Sequence, residues 1–391
     1  MSQTFDVIVI GAGIMGCSTA LELAKRDLKV AMLEKSVIGV GSTGKSSAII
    51  RQHYSNETTA RMALHSLRVF QNFDEQVGGE CGFVQTGFLA LVPESDVGGL
   101  RENIALQQRV GIKTEILSRD EIHERWPDFV VEDLVEAAYE PESGYADPND
   151  TLNSFAAACR RLGVAVRQET EVTGIRMTSG KAQGVDTPTE RFDAPKIVNC
   201  AGAWGAQVAE LAGMTAPIKS CRVQVGFFKR PPTHQSGHPV VADFVNAVYW
   251  RVETGGLSMV GLIDPEEEGY IVDPDNFNEN VDFDFIHDAG ERFVRRYPAM
   301  EASESTGGFA ALYGITPDWH PIIDEPDEDS GIYICAGFSG HGFKLGPAVG
   351  LITADMITGQ ITPGMDRAMF RLSRYDEGDP VRGQYEYSIV G

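Results

Sequence analysis

Six residues near the amino terminus, Gly11-Ala12-Gly13-Ile14-Met15-Gly16, have the spacing GxGxxG. Gly11 permits a tight turn, Gly13 lets the backbone approach a pyrophosphate, and Gly16 lets a helix pack close to a strand. A carboxylate, Glu34, follows 18 residues after Gly16 (34 − 16). At that distance it can accept both ribose hydroxyls of an adenosine. The chemistry is the binding of an adenine dinucleotide, with unpaired N–H groups and the positive pole of a helix facing a diphosphate. The glycines alone do not separate NAD from FAD.

Other groups could do different chemistry. Gly39-Val40-Gly41-Ser42-Thr43-Gly44-Lys45-Ser46 fits the phosphate-loop pattern GxxxxGK[ST], and Met259–Ile263 followed by Asp264 resembles its metal-binding partner strand. Such a loop must follow its own buried strand, and the nearest one closes at Glu34, too early. A loop lending N–H and hydroxyl groups to the same dinucleotide fits better. His234 and His238 are four apart, but in a Pro/Gly-rich stretch without helical character, so no metal pair is expected. The acidic run over 264–291 lacks a calcium-loop pattern, with Phe277 where a ligand would be needed, and reads as a solvated face.

These residues need elements to hold them. Phe5–Ile10 reads as a buried parallel strand. Ile14, Cys17, Ala20, Leu21 and Ala24 recur at helical spacing up to Arg26-Asp27, and Lys29–Leu33 is the next strand. Together they make one right-handed crossover unit. Residues 60–77, 98–110 and 152–162 read as helices, and 83–92, 165–177 and 196–200 as strands. A turn-rich boundary spans 141–148. Alternation over 221–263 predicts antiparallel strands, and 331–350 reads as glycine-rich and strand-like.

The bulk composition narrows the class. The chain has 391 residues, enough for two domains, with 42% hydrophobic and 23% charged residues, so a sizeable core is expected. Its formal net charge of −23 repels phosphate backbones and argues against nucleic-acid binding. Cys17, Cys81, Cys159, Cys200, Cys221 and Cys335 form no CxxC pair and fit free thiols in a reducing compartment. With no apolar run long enough to span a membrane and no signal-like start, the sequence predicts a cytoplasmic protein.

Three segments carry a closer reading. Gly11–Gly16 with Glu34, Asn199-Cys-Ala-Gly-Ala-Trp-Gly205 and Gly337-Phe-Ser-Gly-His-Gly-Phe-Lys-Leu-Gly346 together resemble the D-amino-acid-oxidase-type FAD-dependent oxidoreductases. Within that family Ile49-Ile50-Arg51 and Tyr313-Gly-Ile-Thr-Pro-Asp318 look most like the sarcosine oxidases, especially their β-subunit type, and the dimethylglycine dehydrogenases. The resemblance runs from about residue 4 to 360. It implies an α/β fold. A discontinuous Rossmann-type FAD-binding domain (1–85, 148–216 and 324–375) would join a substrate domain on a mixed, largely antiparallel sheet (86–147 and 217–323). A tail, 376–391, would follow.

The resemblance also implies residue roles. FAD would contact Gly11, Gly13, Ile14, Met15, Gly16, Glu34 and Lys35; Gly41, Ser42, Ser46 and Ser47; Val172; Ala201, Gly202 and Trp204; and Gly337, Gly340, Gly342, Phe343 and Lys344. The dimethylbenzene side of the flavin would lie near Tyr313. Arg51 and Lys344 would hold a substrate carboxylate, for which a guanidinium fork is well shaped. Tyr313 and Tyr249 would wall the pocket, His341 would contact the flavin by backbone and ring, and His53 would either approach it or pack.

The implied activity is oxidation of the C–N bond of an N-methylated or other secondary amino acid such as sarcosine, dimethylglycine or proline. The carbon beside the amine gives up a hydride to the flavin and the imine is then hydrolysed. A primary amino acid, a 2-hydroxy acid, or the role of flavin subunit in a larger amine-oxidising complex are the alternatives. The electron acceptor is O2 or another carrier. Two departures stand out. Ala311 and Lys45 occupy the positions where relatives carry the cysteine or histidine that bonds the flavin, so non-covalent FAD is expected. Ser258, in Gly256-Leu257-Ser258-Met259, replaces a lysine linked to oxygen activation, so slow reaction with oxygen is expected.

Overall fold

The computed structural model describes residues 3–234, 237–263 and 270–382. Val7–Ile10 is a fully buried strand, and Val30–Leu33 pairs parallel to it through the helix Ile14–Ala24. Apolar runs without alternation suit strands covered on both faces. They form a six-stranded sheet in the order Ile322–Asp324, Ile332–Ala336, Ile197–Asn199, Val7–Ile10, Val30–Leu33, Ala165–Arg167. Only Ile322–Asp324 runs antiparallel to its neighbour.

An eight-stranded sheet stands beside it, in the order Glu304–Ile315, Lys219–Lys229, Leu257–Leu262, Val248–Glu253, Val240–Asp243, Phe88–Leu91, Glu136–Glu140, Glu115–Ser118. All its pairings are antiparallel except that of Val240–Asp243 with Phe88–Leu91. The helix Phe283–Arg296 covers it, burying Phe285, Ala289 and Phe293 against Trp250 and Val260. The expected mixed, largely antiparallel second sheet and the parallel nucleotide-type sheet are both present.

Several expectations need correction. The stretch 331–350 is strand only at Ile332–Ala336; Gly342–Thr358 is a buried 17-residue helix. Its glycines, which suggested strand and loop, allow a close helix crossing. A Cβ on Gly346 would fall 2.4 Å from Ile14, and one on Gly350 would fall 2.6 Å from the Ser18 backbone. Packing of this kind offsets the helix cost of about 1 kcal/mol per glycine. The helix expected from 152 begins earlier, at Pro148, because Asp147 caps it by accepting the N–H groups of Asn149 and Asp150 at 2.8 Å.

The Gly39–Ser46 loop follows no strand of its own, so the separate phosphate-loop pattern is not met; Asp264 lies outside the described residues. The acidic run is not simply a solvated face. Residues 270–282 form a strap along the strand Lys219–Lys229, joined by Arg222 N–H to Tyr270 O and Val272 N–H to Ser220 O, both 2.9 Å. Residues expected to form a tail begin docked, with Val381 N–H donating to Asp318 at 3.0 Å.

Candidate functional site

A cavity of about 610 Å³ opens where the parallel strands end against the antiparallel sheet. Gly11 turns the chain at φ +98°, and a Cβ there would lie 2.6 Å from Cys200 O. A Cβ on Gly16 would strike Gly11 O at 1.9 Å, so this glycine lets the helix sit on the strand and does not itself line the cavity. Gly13 caps the helix without a side chain, and no acid stands in the first turn. The positive pole of Ile14–Ala24 therefore faces the cavity uncompensated.

Glu34 lines the same space at the end of its strand. Its two oxygens are fixed by Ala12 N–H at 2.9 Å and Ser36 N–H at 3.0 Å. Carboxylate oxygens carry further lone pairs, so each can still accept a hydroxyl. Lys35, Gly41, Ser42, Ser46, Ser47, Val172, Ala201, Gly202, Trp204, Gly340, Gly342 and Phe343 line the cavity with Ile14 and Met15. Gly337 does not; at φ +78° it makes the turn after Ile332–Ala336. Ala311, Lys45 and Cys200 also line the cavity, while Ser258 lines neither cavity.

Sequence reading missed other lining groups. Thr43 Oγ1 accepts the Ile14 N–H at 3.1 Å, which fixes the glycine-rich loop against the helix start. Its place within Gly-Ser-Thr-Gly-Lys was a usable signal. Asp275 had none. It reaches the cavity from the strap, accepts Trp204 Nε1–H at 2.9 Å and pairs with Lys35, whose ammonium lies 4.5 Å from the Trp204 ring. Glu279 on the same strap pairs with Lys45.

A smaller cavity of about 80 Å³ adjoins the large one and shares Ser46, Ser47, Tyr249, Tyr313, Ser339, Gly340 and Phe343 with it. Arg51 and Lys344 line it, both buried, and among the described residues no carboxylate does. Arg51 follows the two-residue strand Ile49–Ile50, which pairs with Gly144–Tyr145. Its guanidinium lies 4.6 Å from the Tyr54 ring and donates to His53 O. Lys344 sits in the first turn of Gly342–Thr358, with Nζ 3.5 Å from His341 O. Burial first, and then the Arg51 charge, push its ammonium well below the usual lysine range. Arg51 and a helix N-terminus with no acid in its first turn favour an anion in the small cavity, and Lys344 adds to this when it is protonated.

Tyr313 and Tyr249 wall both cavities. A Cβ on Gly340 would lie 2.4 Å from the Tyr313 ring, and one on Gly261 would lie 2.3 Å from the Tyr249 ring. His341 lines only the small cavity. Its Nε2 lies 2.8 Å from Trp319 O and its Nδ1 3.4 Å from Tyr54 Oη, so both ring nitrogens are engaged. Burial and the Lys344 charge hold this imidazole neutral, well below its usual range. His53 lines neither cavity; it lies behind Arg51, with Gln107 Nε2 3.2 Å from Nδ1. His234 and His238 both pack edge-on against the Tyr297 ring. His234 stands 3.6 Å from Asp128, and His238 Nδ1 stands 2.8 Å from Pro239 O.

A glycine-rich turn between parallel strands, a fixed carboxylate at the ribose position and a cavity walled by a second sheet define a dinucleotide-dependent oxidoreductase fold. Comparison with known proteins makes the class specific. The family model described as "FAD dependent oxidoreductase" matches residues 6–356. The chain is 27% identical to monomeric sarcosine oxidase of Bacillus sp. (strain B-0618), covering 96% of this chain and 97% of that one. It is also 27% identical to human mitochondrial sarcosine dehydrogenase, over 90% of this chain but 39% of that longer protein. Among solved structures, L-proline dehydrogenase from P. horikoshii superposes with a TM-score of 0.89 at 28% identity, over 97% of this chain and all of that one. The chain belongs to the FAD-dependent oxidoreductase family, and the expected likeness to the sarcosine oxidases is found.

Proposed function

We propose that this protein oxidises the C–N bond of a small secondary amino acid, N-methylated or cyclic, using non-covalently bound FAD. The observation that carries this reading is the 80 Å³ cavity with buried Arg51 and Lys344 in its wall. A site with two buried cations calls for an anion. The substrate carboxylate meets both, and the guanidinium fork orients it. Phe88, Tyr249, Tyr313 and Ile263 close the apolar sides and exclude water from the amine. In this reading segments 1–85, 148–216 and 324–375 carry the cofactor, and 86–147 and 217–323 carry the substrate.

The large cavity suits FAD on its own residues. The positive pole of the helix Ile14–Ala24 would face the diphosphate and Glu34 the ribose. When bound, FAD would supply the two-electron acceptor. The chain's residues hold the amine in place while it loses two electrons and two protons to become an imine. Water then hydrolyses the imine to an amine and a carbonyl compound. With both nitrogens of His341 engaged, no imidazole in this pocket serves as the base. The amine proton therefore leaves to a group other than His341 before the transfer.

Anaerobic flavin bleaching against sarcosine, dimethylglycine, proline and glycine tests the reading. Bleaching by a secondary amino acid, and none by pyrrolidine, is expected. Bleaching by pyrrolidine as readily as by proline would refute the carboxylate site. Acid precipitation should leave the yellow colour in the supernatant.

A further inference from the structure

The strand Val248–Glu253 of the eight-stranded sheet carries two long side chains on one face. Side chains two apart along a strand point the same way, so Tyr249 and Arg251 share that face. Tyr249 walls both cavities, whereas Arg251 lines neither. Arg251 is 2% exposed, and each of its three guanidinium nitrogens is engaged. Nη1 donates to Val252 O at 2.8 Å, and Nη2 pairs with Glu253 at 2.9 Å. Those partners are its neighbours in sequence. Nε donates to Ser47 O at 2.6 Å, a bond that spans 204 residues and reaches the loop beside the cofactor cavity. The guanidinium also lies 4.6 Å from the ring of Tyr145, in the strand that pairs with Ile49–Ile50.

The bond to Ser47 grips a strained bend. Ser46 and Ser47 line both cavities. Ala48, which follows, is buried and has φ +51°, in the left-handed region. There the Cβ crowds the following carbonyl, and a residue other than glycine stays only where its surroundings enforce it. Three contacts do so. Ser46 Oγ accepts the Ala48 N–H at 3.0 Å, Ala146 N–H donates to Ala48 O at 2.9 Å, and Arg251 holds Ser47 O. Ser47 O and the Ala48 N–H belong to one peptide group. Arg251 and Ser46 thus grip its two ends, and rotation of that group would change φ at Ala48. The first two contacts come from the bend and from the chain beside it. The third comes from the eight-stranded sheet.

Resting on the reading of the small cavity as the substrate site, we propose that Arg251 is a positioning residue that fixes the wall shared by the cofactor and substrate cavities. Without its bond the peptide between Ser47 and Ala48 turns, Ala48 relaxes to negative φ, and Ser46 and Ser47 leave their places in both walls. The turning segment leads directly into Ile49-Ile50-Arg51, so the guanidinium that meets the carboxylate moves with it. Arg251 acts through one backbone carbonyl and lines neither cavity itself.

Two ligands report on the shared wall. FAD reports on the large cavity, by recovery of flavin fluorescence on release. Cyclopentanecarboxylate, which lacks an oxidisable nitrogen, reports on the small one, by calorimetry on the FAD-loaded protein. Arg251→Met should weaken both roughly tenfold, the usual size of a charge-assisted hydrogen bond. Glycine adopts the left-handed region without strain, so adding Ala48→Gly to Arg251→Met should recover roughly threefold or more in both. Glu253→Gln keeps an acceptor for Nη2 and should leave both affinities within about twofold. A merely structural role would lower the thermal midpoint of Arg251→Met while leaving the affinities of the folded protein unchanged. If Arg251→Met does not fold, Arg251→Lys takes its place. An ammonium lacks the planar fork, so a smaller loss with the same recovery is expected. Unchanged affinities in the arginine variant, no recovery on adding Ala48→Gly, or an equal loss in Glu253→Gln overturns the proposal. A probe that does not bind the unaltered protein, or binds it regardless of Arg51→Ala, instead refutes the carboxylate reading, and FAD affinity alone then decides the role of Arg251.

Discussion

Arg51 and Lys344 are two cations in one small pocket, and the cost of keeping them there sets what each substitution does. Arg51→Ala removes a charge-assisted fork from a desolvated site. Losses of about 2–5 kcal/mol are usual there, so KM for a carboxylate substrate should rise roughly 30-fold or more, with kcat less affected. Steady-state kinetics on proline or sarcosine checks this; an unchanged KM refutes it. Lys344 behaves differently in the substrate-free protein. Its folded-state pKa is depressed, first by burial, so at neutral pH the unfolded chain binds its proton more readily than the folded one. Lys344→Met should therefore raise the thermal midpoint of the FAD-loaded protein while weakening substrate binding. Ser258 is fully buried and lines neither cavity, and the two pocket cations are engaged by substrate in the proposed reading. Reduced enzyme should then reoxidise slowly in air; rapid stoichiometric peroxide formation would contradict this.

At the scale of elements, the strap 270–282 and the glycine-rich loop form one closure over the cofactor cavity. Asp275 pairs with Lys35 and Glu279 with Lys45, bridging segments far apart in sequence. Both acids are more than half exposed, so each pair contributes at most about 1 kcal/mol and is screened by salt. The double variant Asp275→Asn, Glu279→Gln should release FAD a few-fold faster at low ionic strength, measured by recovery of flavin fluorescence. At high salt the variant and the unaltered protein should converge. The elements differ in how legible they were. Val7–Ile10, Ile14–Ala24 and Val30–Leu33 announce themselves because the period of apolar residues and the glycine turn are local. The helix Gly342–Thr358 was hidden. Its glycines and Pro347 argue against a helix until Ile14 and Ser18 pack into the gaps they leave.

Across the whole molecule, the segment beyond the family match is tied back to the site. Arg374, fully buried, donates to both oxygens of Asp318, and Val381 N–H adds a third bond to that carboxylate. The loop they fix carries Trp319, whose carbonyl lies against the His341 ring. Burial pushes the Asp318 carboxyl up, but Arg374 and the backbone N–H bonds more than offset this and hold it at about 2. A depressed carboxylate contributes stability above its unfolded pKa, and that contribution is lost as pH falls toward about 2. Arg374→Met should cost about 3–5 kcal/mol at neutral pH, since it strands a buried charge. Its acid-unfolding curve should lack the component that the unaltered protein loses between roughly pH 4 and pH 2.

The sequence by itself determined that the chain binds an adenine dinucleotide, because Gly11, Gly13, Gly16 and Glu34 lie within one crossover unit whose geometry follows from local spacing. It also marked Arg51 and Lys344 individually. Only the tertiary structure decided that they share an 80 Å³ pocket, that His53 stands behind it and that both nitrogens of His341 are engaged. It alone brought Asp275 to the cofactor cavity and Arg251 to the carbonyl of Ser47. The physical reason is distance along the chain. Local periodicity fixes what one strand and helix can present, whereas buried charge is compensated by whatever group the packing of two sheets brings near, and no spacing in the sequence records that.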